Sequence, residues 1–176
     1  MASSLDIEKD FEYIIEREFE YLGYKCIILL RSTGFRYGYV GIPKEHPLYG
    51  KKSSDYYSYD GKDMRITSFI KPHNYGVENS NDKKFDYLSN GLWWFSFRCD
   101  HLGDRQDTSS VQKKFKNGEK ELCKYVLCCY SRGSMPGGMF CTEEYVTNEC
   151  KCLAEQLKSF DNLNEQPRRK QRGILS

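Results

Sequence analysis

The sequence predicts an α+β fold, a mostly antiparallel sheet flanked by an N-terminal and a C-terminal helix. Three observations carry this. Apolar residues recur with helical spacing at both ends, short apolar runs of strand length fill the middle, and the regular strand–helix alternation of a doubly wound sheet is missing. The chain has 176 residues, with 27 Lys+Arg against 25 Asp+Glu. That length suits one domain, which we place at 1–163. Residues 164–176 read as a flexible basic tail, because Arg168, Arg169, Lys170 and Arg172 follow Pro167 with little apolar material to pack.

The elements follow in order. From Leu5 to Leu22, the positions Ile7, Phe11, Ile14, Ile15, Phe19 and Leu22 keep the 3.6-residue period, with Ser3 as a cap and Gly23 as the stop. Residues 24–31 contain the run Cys26–Leu30 and read as a buried strand. The turn residues Ser32-Thr33-Gly34 then lead into a second strand, Arg36–Ile42, as a hairpin. The stretch from Pro43 to Asn90 is irregular, with short strands expected at Met64–Ile70 and near Tyr75–Val77; so long a loop in a compact domain is expected to be functional. Gly91–Cys99 is the clearest strand. It puts Trp93, Phe95, Phe97 and Cys99 on a core face, with Leu92, Trp94, Ser96 and Arg98 on the other. Glu121–Tyr130 reads as a central strand and 131–140 as a glycine-rich connector. A closing helix starts at Thr142, with Val146, Cys150, Leu153, Leu157 and Phe160 as its apolar stripe.

Composition narrows the setting. No apolar run approaches the roughly 18 residues of a membrane span, and the first residues lack the basic start and apolar stretch of a signal peptide. The eight cysteines are therefore expected as free thiols in a cytoplasmic protein with no membrane partner. Nucleic acid is expected only through the basic tail; a homo-oligomer is left open.

Several features could carry chemistry. Cys99-Asp100-His101 and Asp104 gather a thiol, carboxylates and an imidazole at a strand end, so Asp100, His101 and Asp104 are the candidate metal ligands. With His46 they are also the candidate catalytic set of a metal-assisted hydrolase. The competing reading is a turn whose Asp and His satisfy backbone groups. Alternation turns Cys99 away from Asp100, and further ligands must come from elsewhere, where only His46 and His73 remain. The loop from Gly38 to Lys51 holds two prolines and three glycines. They fix a shaped path that presents Lys44, His46, Tyr49 and Lys51. Trp94 and Arg98, four apart on one strand face, pair a planar ring with a guanidinium, which suits a nucleobase and its phosphate. Arg132, in the connector ahead of the closing helix, offers a further cation. Cys123, Cys128, Cys150 and Cys152 lack the paired C-x-x-C knuckles of a zinc ribbon and are expected as buried thiols.

Three segments, Gly38-Tyr-Val-Gly-Ile-Pro-Lys-Glu-His-Pro-Leu-Tyr-Gly-Lys51, Gly91-Leu-Trp-Trp-Phe-Ser-Phe-Arg-Cys-Asp-His-Leu-Gly-Asp104 and Tyr145-Val-Thr-Asn-Glu-Cys-Lys-Cys-Leu-Ala-Glu-Gln-Leu157, together resemble an uncharacterised family of bacteriophages and bacterial genomes. The resemblance spans roughly residues 20–160 in the same order. It departs at Met64–Ile70, where the family's His-Gly-Gly pattern is absent, and at Arg98, where the family tends to have Asp. If the family's site uses that histidine and that aspartate, its function is lost or altered in this chain. The resemblance implies a phage-type accessory protein, of a kind that counters host defence, and supplies no reaction.

No complete catalytic constellation is visible, which favours binding over catalysis. The expected function is sequestration of a small anionic, nucleotide-like ligand by Lys44, His46, Tyr49, Lys51, Trp94, Arg98 and Arg132, with no resident cofactor. The alternatives are the metal-assisted hydrolase and a protein–protein inhibitor of a host enzyme, acting through the tyrosines at 56–59.

Overall fold

The computed structural model describes residues 12–59, 62–74, 77–79, 91–101, 103–117 and 138–164. The expected strand Glu121–Tyr130, Arg132 and the basic tail lie outside them. Nine strands occur among the described residues: β1 (Tyr13–Tyr21), β2 (Tyr24–Arg31), β3 (Arg36–Ile42), β4 (Tyr56–Tyr59), β5 (Lys62–Arg65), β6 (Glu78–Asn79), β7 (Trp93–Arg98), β8 (Asp104–Arg105) and β9 (Met139–Phe140). With them are a short helix, α1 (Thr108–Lys114), and a long one, α2 (Glu143–Asn164). The architecture is α+β, with an antiparallel sheet in the order β1-β2-β3-β7-β6. The small pairs β4–β5 and β8–β9 stand apart from it, and only β8–β9 is parallel.

The N-terminal helix is the main correction. The described part of Leu5–Leu22 forms strand β1, because a β-bulge disguises its period. The register slips between Ile15 and Arg17, which makes Glu16 an additional residue. Ile15 opposes Leu29 and joins the cluster of Ile27, Leu29, Phe35, Tyr37, Tyr39 and Trp94. Beyond the slip, Phe19 opposes Cys26 and packs on the other face. One inserted residue thus turns two-residue spacing into steps that imitate a helix. Leu22 and Gly23 have φ of +52° and +83°, the paired positive values of a two-residue type I′ hairpin turn. Gly23 therefore closes a hairpin.

β2 and β3 form where the sequence placed them. β2 is apolar on both faces because both are covered: Cys26 and Ile28 lie in the cluster beneath α2, Ile27 and Leu29 in the opposite one. α2 begins after Thr142, whose Oγ1 accepts the Tyr145 N–H at 3.1 Å. Its stripe of Val146, Cys150, Leu153, Leu157 and Phe160 is buried against the sheet, as the period required. Gly38 allows the close approach. A Cβ there would collide with the Phe97 ring and stand 2.8 Å from Cys150 Sγ.

Two differences concern the connections. The strand expected over Met64–Ile70 shrinks to the last residues of β5, followed by a 3-10 turn at Ile66–Ser68. Helix α1 occupies what reads as a polar loop, since Val111 is its one buried residue. Asp107 caps α1 by accepting the Ser110 N–H at 3.0 Å. It also lies 2.8 Å from the buried Arg36 guanidinium, which bonds Glu16 and, at 3.0 Å, the Cys141 carbonyl. This ion network ties β1, β3 and α1 to the residue that leads into α2.

Candidate metal centre

The site is built where three chain segments meet below the end of β7. Phe95 and Phe97 point into the core, and Cys99 continues on that face with no exposure. The chain then doubles back. The Gly103 and Asp104 N–H groups both donate to the His101 carbonyl, at 2.8 and 2.9 Å. Asp104 Oδ2 in return accepts the His101 N–H at 2.9 Å. Asp104 thus satisfies a backbone group, as the turn reading expected, and the turn also returns Asp104 beneath the sheet. Pairing of β8 with β9 brings Cys141 alongside, with Sγ 3.7 Å from Asp104 Oδ1.

The third segment is the 3-10 turn Pro72–Asn74, which supplies His73. Its φ and ψ are +50° and +30°, a left-handed conformation that a residue with a side chain rarely adopts and that concentrates at functional sites. Helix α2 holds it there. The His73 N–H donates to Glu149 at 2.6 Å, and Nδ1 lies 2.8 Å from the Tyr145 hydroxyl. Nε2 faces Asp104, 3.2 Å from each carboxylate oxygen. Burial, reinforced by the Glu149 charge, pushes the Tyr145 phenol well above its ordinary value. The phenol therefore keeps its proton, and its hydroxyl pairs with Nδ1 while Nε2 faces the Asp104 carboxylate.

Five potential ligands now converge. The donor atoms of His73, Cys99 and Cys141 lie within 4.8 Å of one another, and so do those of His73, His101 and Asp104. His73, Cys99, Cys141 and Asp104 are buried, whereas the His101 side chain keeps 27% of its exposure and is the donor nearest water. A tetrahedral zinc with bonds of about 2.0–2.3 Å separates its ligand atoms by roughly 3.3–3.8 Å. Asp104 has separations near this range from three of the other donors, 3.2 Å from His73, 3.4 Å from His101 and 3.7 Å from Cys141. A hydrogen bond with Cys141, together with burial, raises Cys99 far above the usual thiol range, so a cation would displace protons on binding.

The other candidates lie elsewhere. His46 is buried among backbone groups. Its Nδ1 accepts the Leu48 N–H at 3.0 Å, and Nε2 meets the Leu157 carbonyl at 3.0 Å. It pins the 43–50 loop to α2 and cannot join His101. His73 meets α2 at Tyr145 and Glu149, whereas His46 meets it at Leu157, roughly 12–18 Å further along at 1.5 Å per residue. Asp100 turns to the opposite face, accepts the Tyr37 hydroxyl at 2.7 Å and sits 3.8 Å from Arg98. Tyr49 and the Lys51 carbonyl pack on Trp93. Lys44 is exposed nearby, its Cε 3.9 Å from where a Cβ on Gly91 would lie. Trp94 is only 3% exposed and covers Gly41 on the other face of the sheet. The described residues among those expected to grip a nucleotide-like ligand are thus divided between two faces. Of the hydrolase set, the structure unites His101 with Asp104 and leaves His46 and Asp100 out. Cys141 is the member that sequence reasoning missed, and His73 the one it named only as a remaining histidine.

Fold and cluster define an α+β protein with a mixed nitrogen, sulfur and oxygen donor centre. Compared with known proteins, the chain matches no family model, no curated protein and no solved structure at a significant level.

Proposed function

We propose that this chain is a metal-binding protein whose centre takes one zinc-class cation on His73, Cys99 and Cys141, with Asp104 and His101 alongside. One observation carries the reading: the donor atoms of His73, Cys99 and Cys141 lie within 4.8 Å of one another, those of His73, His101 and Asp104 do the same, and the shared His73 is held in a strained left-handed backbone. The donor types select the metal. Thiolate with imidazole suits zinc over magnesium or calcium, which prefer all-oxygen shells. It is preferred to a sequestering protein because the described residues expected to hold that ligand share no single face.

The test is metal content of the full chain after incubation with zinc and desalting, read by native mass spectrometry against the denatured mass. One zinc per chain is expected, removed by chelator and lost in both His73→Ala and Cys99→Ser. A zinc-free mass for the wild-type chain, or undiminished zinc in both variants, overturns the proposal.

A further inference from the structure

The five donors fall into two sets of three that share His73. In one set His73 meets two thiols, Cys99 and Cys141; in the other it meets an imidazole and a carboxylate, His101 and Asp104. The sets differ in place and in chemistry. The thiols belong to residues only 0 and 5% exposed, whereas the His101 side chain keeps 27% of its exposure. Thiolates select soft cations such as zinc, while two imidazoles with one carboxylate are the donor set of iron(II) in non-haem proteins. Octahedral binding with bonds of about 2.1 Å puts neighbouring ligand atoms roughly 3 Å apart. Asp104 stands 3.2 Å from His73 Nε2 and 3.4 Å from His101 Nδ1, close to that spacing.

His73 cannot serve two ions at once. Its Nδ1 lies 2.8 Å from the Tyr145 hydroxyl, which leaves Nε2 as the ligand atom, and one nitrogen lone pair binds one cation. Asp104 by contrast has an oxygen for each side, with Oδ1 3.7 Å from Cys141 Sγ and Oδ2 toward His101. We infer that the centre has a second cation position, on His73, His101 and Asp104, which takes iron(II)-class ions and competes with the thiol position for His73. This rests on the metal-binding reading above and extends it to a second class of metal. A zinc-class ion joins the turn at His73 to the end of β7 and to the residue ahead of α2. An iron(II)-class ion joins it to the His101–Asp104 turn and leaves both thiols out.

Iron(II), added in the absence of oxygen, and cadmium are the probes. Equilibrium dialysis against the full chain gives metal content, and the ultraviolet spectrum gives thiolate-to-metal charge transfer. Wild type is expected to take one of either ion, with charge transfer for cadmium and none for iron, and saturating cadmium is expected to expel the iron. His101→Ala, a change at a partly exposed side chain, is expected to weaken iron binding at least tenfold and to leave cadmium bound. Cys99→Ser combined with Cys141→Ser is expected to do the reverse. Cadmium uptake without iron uptake, or thiolate charge transfer in the iron-loaded wild type, overturns the inference while the metal-binding reading stands. Neither result depends on the folding of a variant. Iron retained under saturating cadmium, or undiminished in His101→Ala, overturns it as well. Failure of the wild-type chain to bind either ion overturns both readings.

Discussion

His46 shows at the residue scale how an imidazole can look functional in sequence and be structural in the fold. A histidine between two prolines and glycines on a rigid loop has the features of a ligand residue, but each ring nitrogen is committed to a backbone partner. Since Leu48 donates to Nδ1, the proton sits on Nε2 and the ring is neutral. Burial holds its pKa below the ordinary histidine value, against the opposing pull of the Leu157 carbonyl and Asp161. The sign follows directly. Below about pH 6.5 the unfolded chain takes up a proton at this position while the folded chain resists it, so stability falls as the pH is lowered. The slope from this one group cannot exceed about 1.4 kcal/mol per pH unit. Urea unfolding at pH 7 and pH 5.5 is expected to show wild type losing more stability than His46→Gln. Equal losses in the two proteins would mean that His46 is not buried in its neutral form.

At the scale of the element, the register of β3 against β7 decides how closely α2 can dock. Gly38 opposes Phe97, and the space a side chain would use is filled by the Phe97 ring and Cys150 Sγ. Gly38→Ala is expected to destabilise the fold by about 1–3 kcal/mol, as overpacking does. Chemical denaturation measures it, and a neutral or stabilising result would show that the helix is free to move away. The same docking explains which elements were legible. α2 is long, and its stripe carries one unbroken period, so Thr142 and the buried residues could be read directly. β2 and β3 declared themselves by short apolar runs ended by turn residues. β1 misled because Glu16, the bulge residue, is not apolar: its side chain is buried on Arg36 and Lys114. A pattern read from apolar residues cannot see a carboxylate that is inside because it is paired. α1 escaped for a related reason, since its stability comes from the Asp107 cap and one buried valine rather than from a stripe.

Over the whole molecule, the centre is a junction between segments far apart in sequence, which is why so little of it could be read in advance. Cys99, His101 and Asp104 lie within six residues and were visible together. His73 sits in an irregular stretch with no period to orient it, beyond the 64–70 segment where the resemblance sought a histidine. Cys141 gains meaning only from β8–β9 pairing. That junction leads to the last prediction. A cation bound to the folded cluster links the turn at His73, the end of β7 and the start of α2, and no such site preforms in the unfolded chain. Zinc must then stabilise the fold in proportion to its free concentration, by about 2.7 kcal/mol at one hundred times Kd. For a chain of this length that is a rise in Tm of roughly 5–11 °C, reduced by whatever zinc the unfolded cysteines retain. His73→Ala removes a ligand, keeps a side chain at the left-handed backbone position and leaves Tyr145 and buried Asp104 without their partner, so with chelator it is expected to melt below the wild-type protein and to gain nothing from zinc. Thermal melts of both proteins, with chelator and with graded free zinc, separate this from nonspecific binding. A wild-type Tm independent of zinc would show that the three segments are joined by hydrogen bonds alone. An equal rise in His73→Ala would place the stabilising ion elsewhere in the molecule.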